Sequence, residues 1–139
     1  EAAFRRAGRF ADHWMPYLYT PEQFERSLKA VRGYASDHGR TDVIHGAVFC
    51  WGAIDRDPRV ARRDAVTAVS GTYNQDFEDM ADRYLVTGSP AGVVARLLEF
   101  ADAGAETVIF AGPKEPDAWK RTTDLLERDV VPALRSRTV

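Results

Sequence analysis

The stretch that decides the fold is Thr87-Gly-Ser-Pro-Ala-Gly-Val-Val-Ala-Arg-Leu-Leu-Glu-Phe-Ala-Asp-Ala-Gly-Ala-Glu-Thr-Val-Ile-Phe-Ala-Gly112. Ser89 can cap the amides of a first helical turn, and Pro90 suits the first helical position, where its missing N–H costs nothing. The apolar residues that follow recur at three- and four-residue spacing, namely Val93, Val94, Leu97, Leu98 and Ala101. Gly104 can end this helix in the left-handed conformation. The stretch therefore predicts a helix that packs on a sheet and leads into a strand at 107–111, buried on both faces as in a parallel sheet.

Two further strands are predicted on the amino-terminal side of this unit. Residues 12–19 are short and aromatic, and Pro16 limits the strand that they form. Residues 43–51 are dense in β-branched and aromatic side chains, which indicates a central strand. Three strands that alternate with helices predict right-handed βα units with parallel strands and an α/β fold.

The predicted helices are marked by their ends. The first covers residues 1–11, and a capping box at Thr20, Pro21 and Gln23 begins the second, which stops at Gly39. The remaining predictions are a helix from Asp57-Pro58 to a break at Gly71, an amphipathic piece from Phe77 to Tyr84, and a last helix from about Pro116 with a kink or end at Pro132.

Composition excludes several classes of function. The 139 residues carry 19 basic and 21 acidic side chains, a net charge of -2, without a polybasic face, so we expect no binding to nucleic acid or to a membrane. The single Cys50 rules out an intrachain disulfide and fits a cytoplasmic location. No apolar run approaches the roughly 20 residues that span a bilayer. Because Glu1 is not a methionine, the chain could be a piece of a longer protein.

Five short motifs, in this order and spacing, resemble the C-terminal part of a bacterial luciferase-like protein, from the superfamily of flavin- and F420-dependent barrel oxidoreductases. They are Ala3-Phe-Arg-Arg-Ala-Gly-Arg-Phe-Ala-Asp-His-Trp14, Asp57-Pro-Arg-Val-Ala-Arg-Arg63, Val86-Thr-Gly-Ser-Pro90, Asp102-Ala-Gly-Ala105 and Val131-Pro-Ala-Leu134. The resemblance implies that residues 1–139 form one partial domain, about three βα units that end a (β/α)8 TIM barrel, with the usual insertion after the second strand. Three strands alone leave open sheet edges, and a complete barrel takes about 250 residues.

The resemblance also implies a cofactor, FMN or coenzyme F420, lying across the carboxyl ends of the strands. The family's Gly-rich phosphate loop would sit just ahead of Glu1, outside this sequence. The family's Ala-Asp-Gly-Trp is here Ala11-Asp-His-Trp14, so that His13 replaces a glycine close to the cofactor.

Reacting groups of such barrels lie at the carboxyl ends of strands, which selects residues 14–17, 50–52 and 111–114. Trp14 and Trp51 could flank a flavin ring or wall an apolar cavity, because indole offers a large flat face, or they could be plain core. The residues proposed for cofactor binding are Trp14 and His13. Those proposed to line a substrate pocket are Tyr17, Phe49, Trp51 and Gly112.

The remaining reactive side chains have simpler interpretations. His13 could donate a proton or lie in a surface loop, whereas His45 lies early in its predicted strand and is interpreted as a structural histidine. The three histidines lack the spacing of a metal site. Cys50 sits in an apolar strand, which favours an inert thiol. No catalytic base or nucleophile is assigned.

Charged and glycine-rich turns are also interpreted structurally. Lys114 could meet an anionic ligand or be solvated. The sequence Gly88-Ser89-Pro90 resembles a phosphate cradle, but we expect it at the far end of the barrel, where capping is the better account. The charged helix face comprises Arg59, Arg62 and Arg63, and the turn and helix cap comprise Asp55, Arg56 and Asp57.

Two functions remain open. The first is a flavin- or F420-dependent oxidoreductase, such as a monooxygenase acting on an apolar or mixed organic small molecule, of which this chain is one part. The second is a non-catalytic half-barrel or complementing subunit, covered at its sheet edges by the missing N-terminal half or by a second copy in a homo-oligomer.

Overall fold

The structure is a computed structural model, and it describes residues 1–136. Its helices are α1 (Ala2–Phe10), α2 (Pro21–Asp37), α3 (Pro58–Tyr73), α4 (Ala81–Tyr84), α5 (Pro90–Asp102), α6 (Pro116–Leu125) and α7 (Val131–Arg135). Its strands are β1 (His13–Trp14), β2 (His45–Ile54), β3 (Val86–Gly88) and β4 (Thr107–Ala111). A short 3-10 helix at Glu78–Met80 precedes α4, and a π-helical turn at Leu126–Val130 joins α6 to α7.

Strand β2 is the centre of the sheet, because β1, β3 and β4 all pair with it. Strand β1 runs parallel to the amino end of β2, and β3 runs parallel to its carboxyl end. The paired residues are His13 with His45, Trp14 with Gly46, Gly52 with Val86, Ala53 with Thr87, and Ile54 with Gly88. The prediction of a central strand with parallel neighbours is confirmed.

The bounds of the first two strands differ from the prediction. Of the predicted strand at 12–19, only His13 and Trp14 form β1. Beyond Pro16, one isolated parallel bridge joins Tyr17 to Phe49. Strand β2 extends three residues past the predicted end, to Ile54, so the positions 50–52 lie inside the strand. Gly52 has weak strand propensity, but a side chain there would collide with the Val86 carbonyl oxygen. The close approach of β3 therefore explains the glycine inside β2.

The residue pattern does not reveal the three-residue strand β3, and the predicted location of the turn after it is wrong. Because β3 is parallel to β2, Gly88 lies beside Ile54 at the carboxyl end of β2, and its carbonyl accepts the Asp55 N–H at 3.2 Å. The turn Gly88-Ser89-Pro90 is thus at the carboxyl end of β2, not at the far end of the sheet. Its capping role is confirmed, since Ser89 Oγ accepts the Gly92 N–H at 3.2 Å.

Burial of β4 on both faces was also a wrong prediction. Val108 is 39% exposed and Ile109 is 43% exposed. Within residues 1–136, β4 pairs with β2 and with no other strand, so its second edge is open. The apolar run does identify a strand, but the described residues leave the Val108 and Ile109 side chains partly exposed.

Most helix ends follow the sequence signals. The Thr20 and Gln23 capping box is present, and Asp57 caps α3 by accepting the Arg59 N–H. Helix α5 ends at Asp102, and Gly104 follows it in the left-handed conformation with φ 98°. Two ends differ: α3 runs past Gly71 to a left-handed Asn74, and the last helix is interrupted at Leu126–Val130, ahead of Pro132. Pro132 has no N–H for the carbonyl four residues earlier, so the regular hydrogen-bond pattern breaks before it, and α7 begins with Pro132 in its first turn.

The chain divides into two compact units. The first unit comprises residues 1–49 and 99–109, and the second comprises residues 50–98 and the segment from 110 onward. In the first unit the Phe24 and Phe100 rings meet edge to face at 6.3 Å, and the buried core of this unit also includes Leu28, Val31, Ile44 and Val48. The core of the second unit includes Ile54, Ala61, Val69, Val86, Val93 and Val130.

Candidate functional site

Trp14 is held in one orientation by α1 and α2. Its indole Nε1 donates to Ser27 Oγ at 2.8 Å, and its ring meets the Phe4 ring edge to face at 5.2 Å. The Ser27 hydroxyl in turn donates to the Phe24 carbonyl. Trp14 is therefore a fixed, half-buried aromatic side chain, and its role in cofactor binding stays a prediction.

Two of the predicted substrate-pocket residues, Tyr17 and Phe49, are brought together just beyond β1. Their ring centroids lie 6.5 Å apart in an edge-to-face arrangement. Tyr17 is 46% exposed and neighbouring Met15 is 49% exposed, so together with the half-buried Phe49 they form an accessible apolar surface, the Tyr17 surface. Leu18 follows with φ 53°, a left-handed conformation that costs a non-glycine residue about 1–3 kcal/mol. Such strain is characteristic of loops whose shape serves a site.

The other two predicted pocket residues belong to the second unit. Trp51 is buried, and its ring meets the Tyr73 ring edge to face at 6.2 Å. Gly112 lies against the ring of Trp119, 2.5 Å from where a Cβ on Gly112 would be. Both residues make packing contacts, and their role in lining a substrate pocket stays a prediction.

His13 lies at the amino end of the sheet. It is opposite His45, the first residue of β2, with the two ring centroids 5.3 Å apart. His45 Nδ1 donates to Glu106 Oε2 at 2.7 Å, and this hydrogen bond is the main reason that the pKa of Glu106 is lowered. His45 is therefore a satisfied structural histidine, as expected. The structure brings His13 to this histidine rather than to the carboxyl end of β2.

Cys50 is an inert thiol. It is buried in β2, and burial raises its pKa to about 12, against a small opposing effect of the Arg96 charge. Because the thiolate is the nucleophile, a thiol with this pKa is unreactive at neutral pH. The interpretation drawn from the apolar strand is confirmed.

An ionic cluster that the sequence analysis missed lies at the carboxyl end of β2. Arg121 on α6 donates from Nε to Asp55 and from Nη2 to Asp64, both at 2.8 Å. Both carboxylates are largely buried. Asp55 also accepts the Asp57 N–H, which confirms the predicted turn. Arg121 and Asp55 are 66 residues apart, so no local spacing could have identified the contact.

The arginines of α3 form a charged helix face, as expected. Arg59 binds Asp57, Arg62 binds both Glu78 and Asp82, and Arg63 binds Asp64. Among residues 1–136, no three His, Cys, Asp or Glu side chains are arranged to hold a metal ion. In the same part of the chain, no helix combines the length and the apolar character needed to cross a membrane.

The chain has partial relatives among characterised proteins. No protein-family model matches it. Over 85 residues it is 28% identical to 5,10-methylenetetrahydromethanopterin reductase of Archaeoglobus fulgidus, a match that covers 52% of this chain and 25% of the reductase. Over 60 residues it is 33% identical to F420-dependent glucose-6-phosphate dehydrogenase 2 of Rhodococcus jostii, covering 43% of this chain and 17% of the dehydrogenase.

Solved structures match nearly the whole chain. The coenzyme F420-dependent tetrahydromethanopterin reductase from Methanopyrus kandleri superposes with a TM-score of 0.73 and 22% identity, over 94% of this chain and 48% of that one. An F420-dependent secondary alcohol dehydrogenase bound to an F420-acetone adduct gives 0.76 and 17%, over 96% and 46%. The oxygenating constituent of 3,6-diketocamphane monooxygenase from Pseudomonas putida, bound to FMN, gives 0.63 and 18%, over 93% and 44%.

This chain spans less than half the length of these three structures. Its fold is that of part of a (β/α)8 barrel. The fold class predicted from the sequence and the resemblance to the luciferase-like superfamily are confirmed.

Proposed function

We propose that this chain is the C-terminal part of an FMN- or F420-dependent oxidoreductase, a luciferase-like monooxygenase or dehydrogenase acting on an apolar or mixed organic small molecule. The observation that carries the proposal is the likeness of 93–96% of the chain to three structures whose own descriptions name F420 or FMN. The sequence relatives, a 5,10-methylenetetrahydromethanopterin reductase and an F420-dependent glucose-6-phosphate dehydrogenase, support the same class of reaction.

The Tyr17 surface fits one wall of a pocket for such a cofactor. Its exposed aromatic and thioether groups offer a flat apolar contact to an isoalloxazine or deazaflavin ring, or to an organic substrate beside it. Close to this surface in the sequence, the hydrogen bond from Trp14 to Ser27 fixes the orientation of the Trp14 indole. We assign no residue of this chain to the cofactor's phosphate groups.

A bound flavin or deazaflavin supplies the hydride or electron transfer, and the protein supplies orientation and a dry site. Tyr17 and Phe49 contribute by keeping water from one side of the pocket. Cys50 contributes no nucleophile, because its pKa of about 12 keeps the thiol protonated. We therefore assign the residues of this chain to binding and orientation, and none to catalysis.

The proposal is tested by titrating the complete gene product with FMN and with F420 and following quenching of cofactor fluorescence. We expect Tyr17→Ala and Phe49→Ala to weaken binding of the preferred cofactor by about tenfold, corresponding to about 1.4 kcal/mol. The matched control is Phe10→Ala, which removes an exposed aromatic ring from α1 in the same unit and leaves affinity unchanged. Unchanged affinity in the Tyr17 and Phe49 variants contradicts the pocket assignment. A gene product that binds neither FMN nor F420 contradicts the proposed oxidoreductase function.

A second candidate is a non-catalytic half-barrel that assembles through its open sheet edge. The observation that favours it is the exposure of Val108 and Ile109 on the unpaired edge of β4. A missing N-terminal half or a second copy of the chain would cover these side chains.

Sedimentation velocity of the 139-residue chain tests this alternative. We expect a homo-oligomer that Ile109→Lys dissociates and that Val43→Lys, at an exposed loop valine, leaves intact. A chain that sediments as a monomer at all concentrations contradicts self-association.

A further inference from the structure

A cleft of about 630 Å³ lies within the second unit, between α3 and the turn that leads from β4 to α6. Helix α3 contributes Thr67, Ala68 and Gly71, and the turn and α6 contribute Pro113, Lys114 and Ala118. This volume is within the range of about 300–1,000 Å³ that small-molecule sites occupy. We propose that the cleft binds a small organic anion, a carboxylate or phosphate ester with an apolar body, and that Lys114 is its charge partner.

Two of the three acidic groups of the cleft wall are already engaged. Asp64 accepts hydrogen bonds from Arg63 at 2.9 Å and from Arg121 at 2.8 Å. Both carboxylate oxygens of Glu115 accept backbone amides, from Asp117 at 3.1 Å and from Ala118 at 2.8 Å, which lowers the pKa of Glu115. These two carboxylates therefore have little capacity left for a cationic ligand.

Lys114 is the free positive charge of the cleft. Its side chain is exposed, and within residues 1–136 it forms no hydrogen bond or ion pair with another residue. Arg63, by contrast, directs Nε and Nη2 to Asp64, and Arg121 is shared between Asp55 and Asp64. A carboxylate or phosphate gains a charge-assisted hydrogen bond from Lys114 without breaking an existing one.

The third acid, Asp117, also lines the cleft, and its carboxylate accepts no hydrogen bond within residues 1–136. Its negative charge opposes binding of an anion, so its removal should strengthen binding. The sign of this effect separates an anion site from a cation site at the same cleft, because a cationic ligand would lose affinity.

The apolar part of the cleft lining leaves space for the hydrocarbon body of a ligand. Ala68, Pro113 and Ala118 are small, and a Cβ on Gly71 would meet no atom within 4 Å. A bulkier residue at Gly71 therefore fills the cleft without straining α3. Gly33 on α2 is equally open and lies in the other unit, which makes it a matched control.

The test is a titration of the chain, followed by amide chemical shifts, with 2-naphthoate, 2-naphthyl phosphate, 2-naphthylmethanol and inorganic phosphate. We expect the two organic anions to bind, the neutral alcohol and inorganic phosphate to bind at least tenfold more weakly, and the stronger of the two anions to identify the head group. We expect Lys114→Gln to weaken binding about tenfold, Asp117→Asn to strengthen it, and Gly71→Leu to abolish it, while Gly33→Leu leaves it unchanged. Equal binding of the alcohol, or affinity unaffected by Lys114→Gln in a variant with native chemical shifts elsewhere, overturns the proposal. These outcomes are independent of FMN or F420 binding by the complete gene product.

Discussion

The backbones of Gly46 and Gly104 lie in direct contact, so that a Cβ on Gly46 would collide with the Gly104 carbonyl oxygen. A hydrogen bond joins the same two segments, since the Glu106 N–H donates to the Gly46 carbonyl at 2.8 Å. The amino end of β2 and the turn after α5 therefore approach each other too closely for any side chain at position 46.

Gly46→Ala should destabilise the chain by about 1–3 kcal/mol, because the obstacle is backbone and cannot rotate away. Urea denaturation measures the change in the free energy of unfolding. The control is Gly33→Ala, at an open position inside α2, which should stabilise the chain by about 0.5–1 kcal/mol. A Gly46→Ala variant as stable as the parent would disprove the contact.

Arg121→Met should destabilise the chain by about 1.5–3 kcal/mol, because two largely buried carboxylates, Asp55 and Asp64, each lose a charge-assisted hydrogen bond. Lys120→Met is the matched control on the same helix. It removes an exposed i,i+4 pair with Asp124 and should cost about 0.5 kcal/mol or less. Equal losses of stability in the two variants would contradict the special role of Arg121.

Cys50 should not react with Ellman's reagent at pH 8 in the folded chain, because it is buried and its pKa is raised to about 12. In urea the same thiol should react within minutes, which supplies the control. Labelling of the folded chain at the rate of the unfolded one would show that β2 does not bury this residue.

Asp57 should make stability depend on pH below about 4. Hydrogen bonds from the Arg59 side chain and then from its backbone N–H lower the Asp57 pKa from 3.8 to about 2. A carboxyl group with a lower pKa in the folded state stabilises the fold while it is ionised. Its contribution is therefore complete above the unfolded value and is lost as the pH falls through about 2. Asp57→Asn should flatten the stability profile between pH 4 and pH 2, where the control Asp102→Asn does not. These pH bounds, about 4 and about 2, follow from the two pKa values.

Local signals predicted the parts of the fold that are locally determined. The capping box at Thr20 and Gln23, the Ser89 cap and the left-handed Gly104 each satisfy backbone groups within a few residues, so their sequence patterns identify them. Strand β3 has three residues, too few to show any periodicity. Near its carboxyl end β2 contains Gly52, which is required there because β3 approaches too closely for a side chain. Neither feature could be found without knowing that the two segments meet.

The candidate site divides in the same way. The inert Cys50 follows from an apolar strand, whereas the contact between Tyr17 and Phe49 depends on the register of two strands, which the residue pattern does not determine. Arg121 reaches Asp55 and Asp64 across 66 and 57 residues, which no spacing rule encodes. The exposure of Val108 and Ile109 was also hidden, because an apolar strand has the same sequence whether or not a partner covers it.

Calorimetric titration of the complete gene product with FMN and with F420 is the decisive experiment for the proposed cofactor-dependent barrel. We expect saturable binding of one of the two cofactors, with one molecule bound per polypeptide. A correctly folded gene product that binds neither cofactor, in the oxidised or the reduced form, would contradict it.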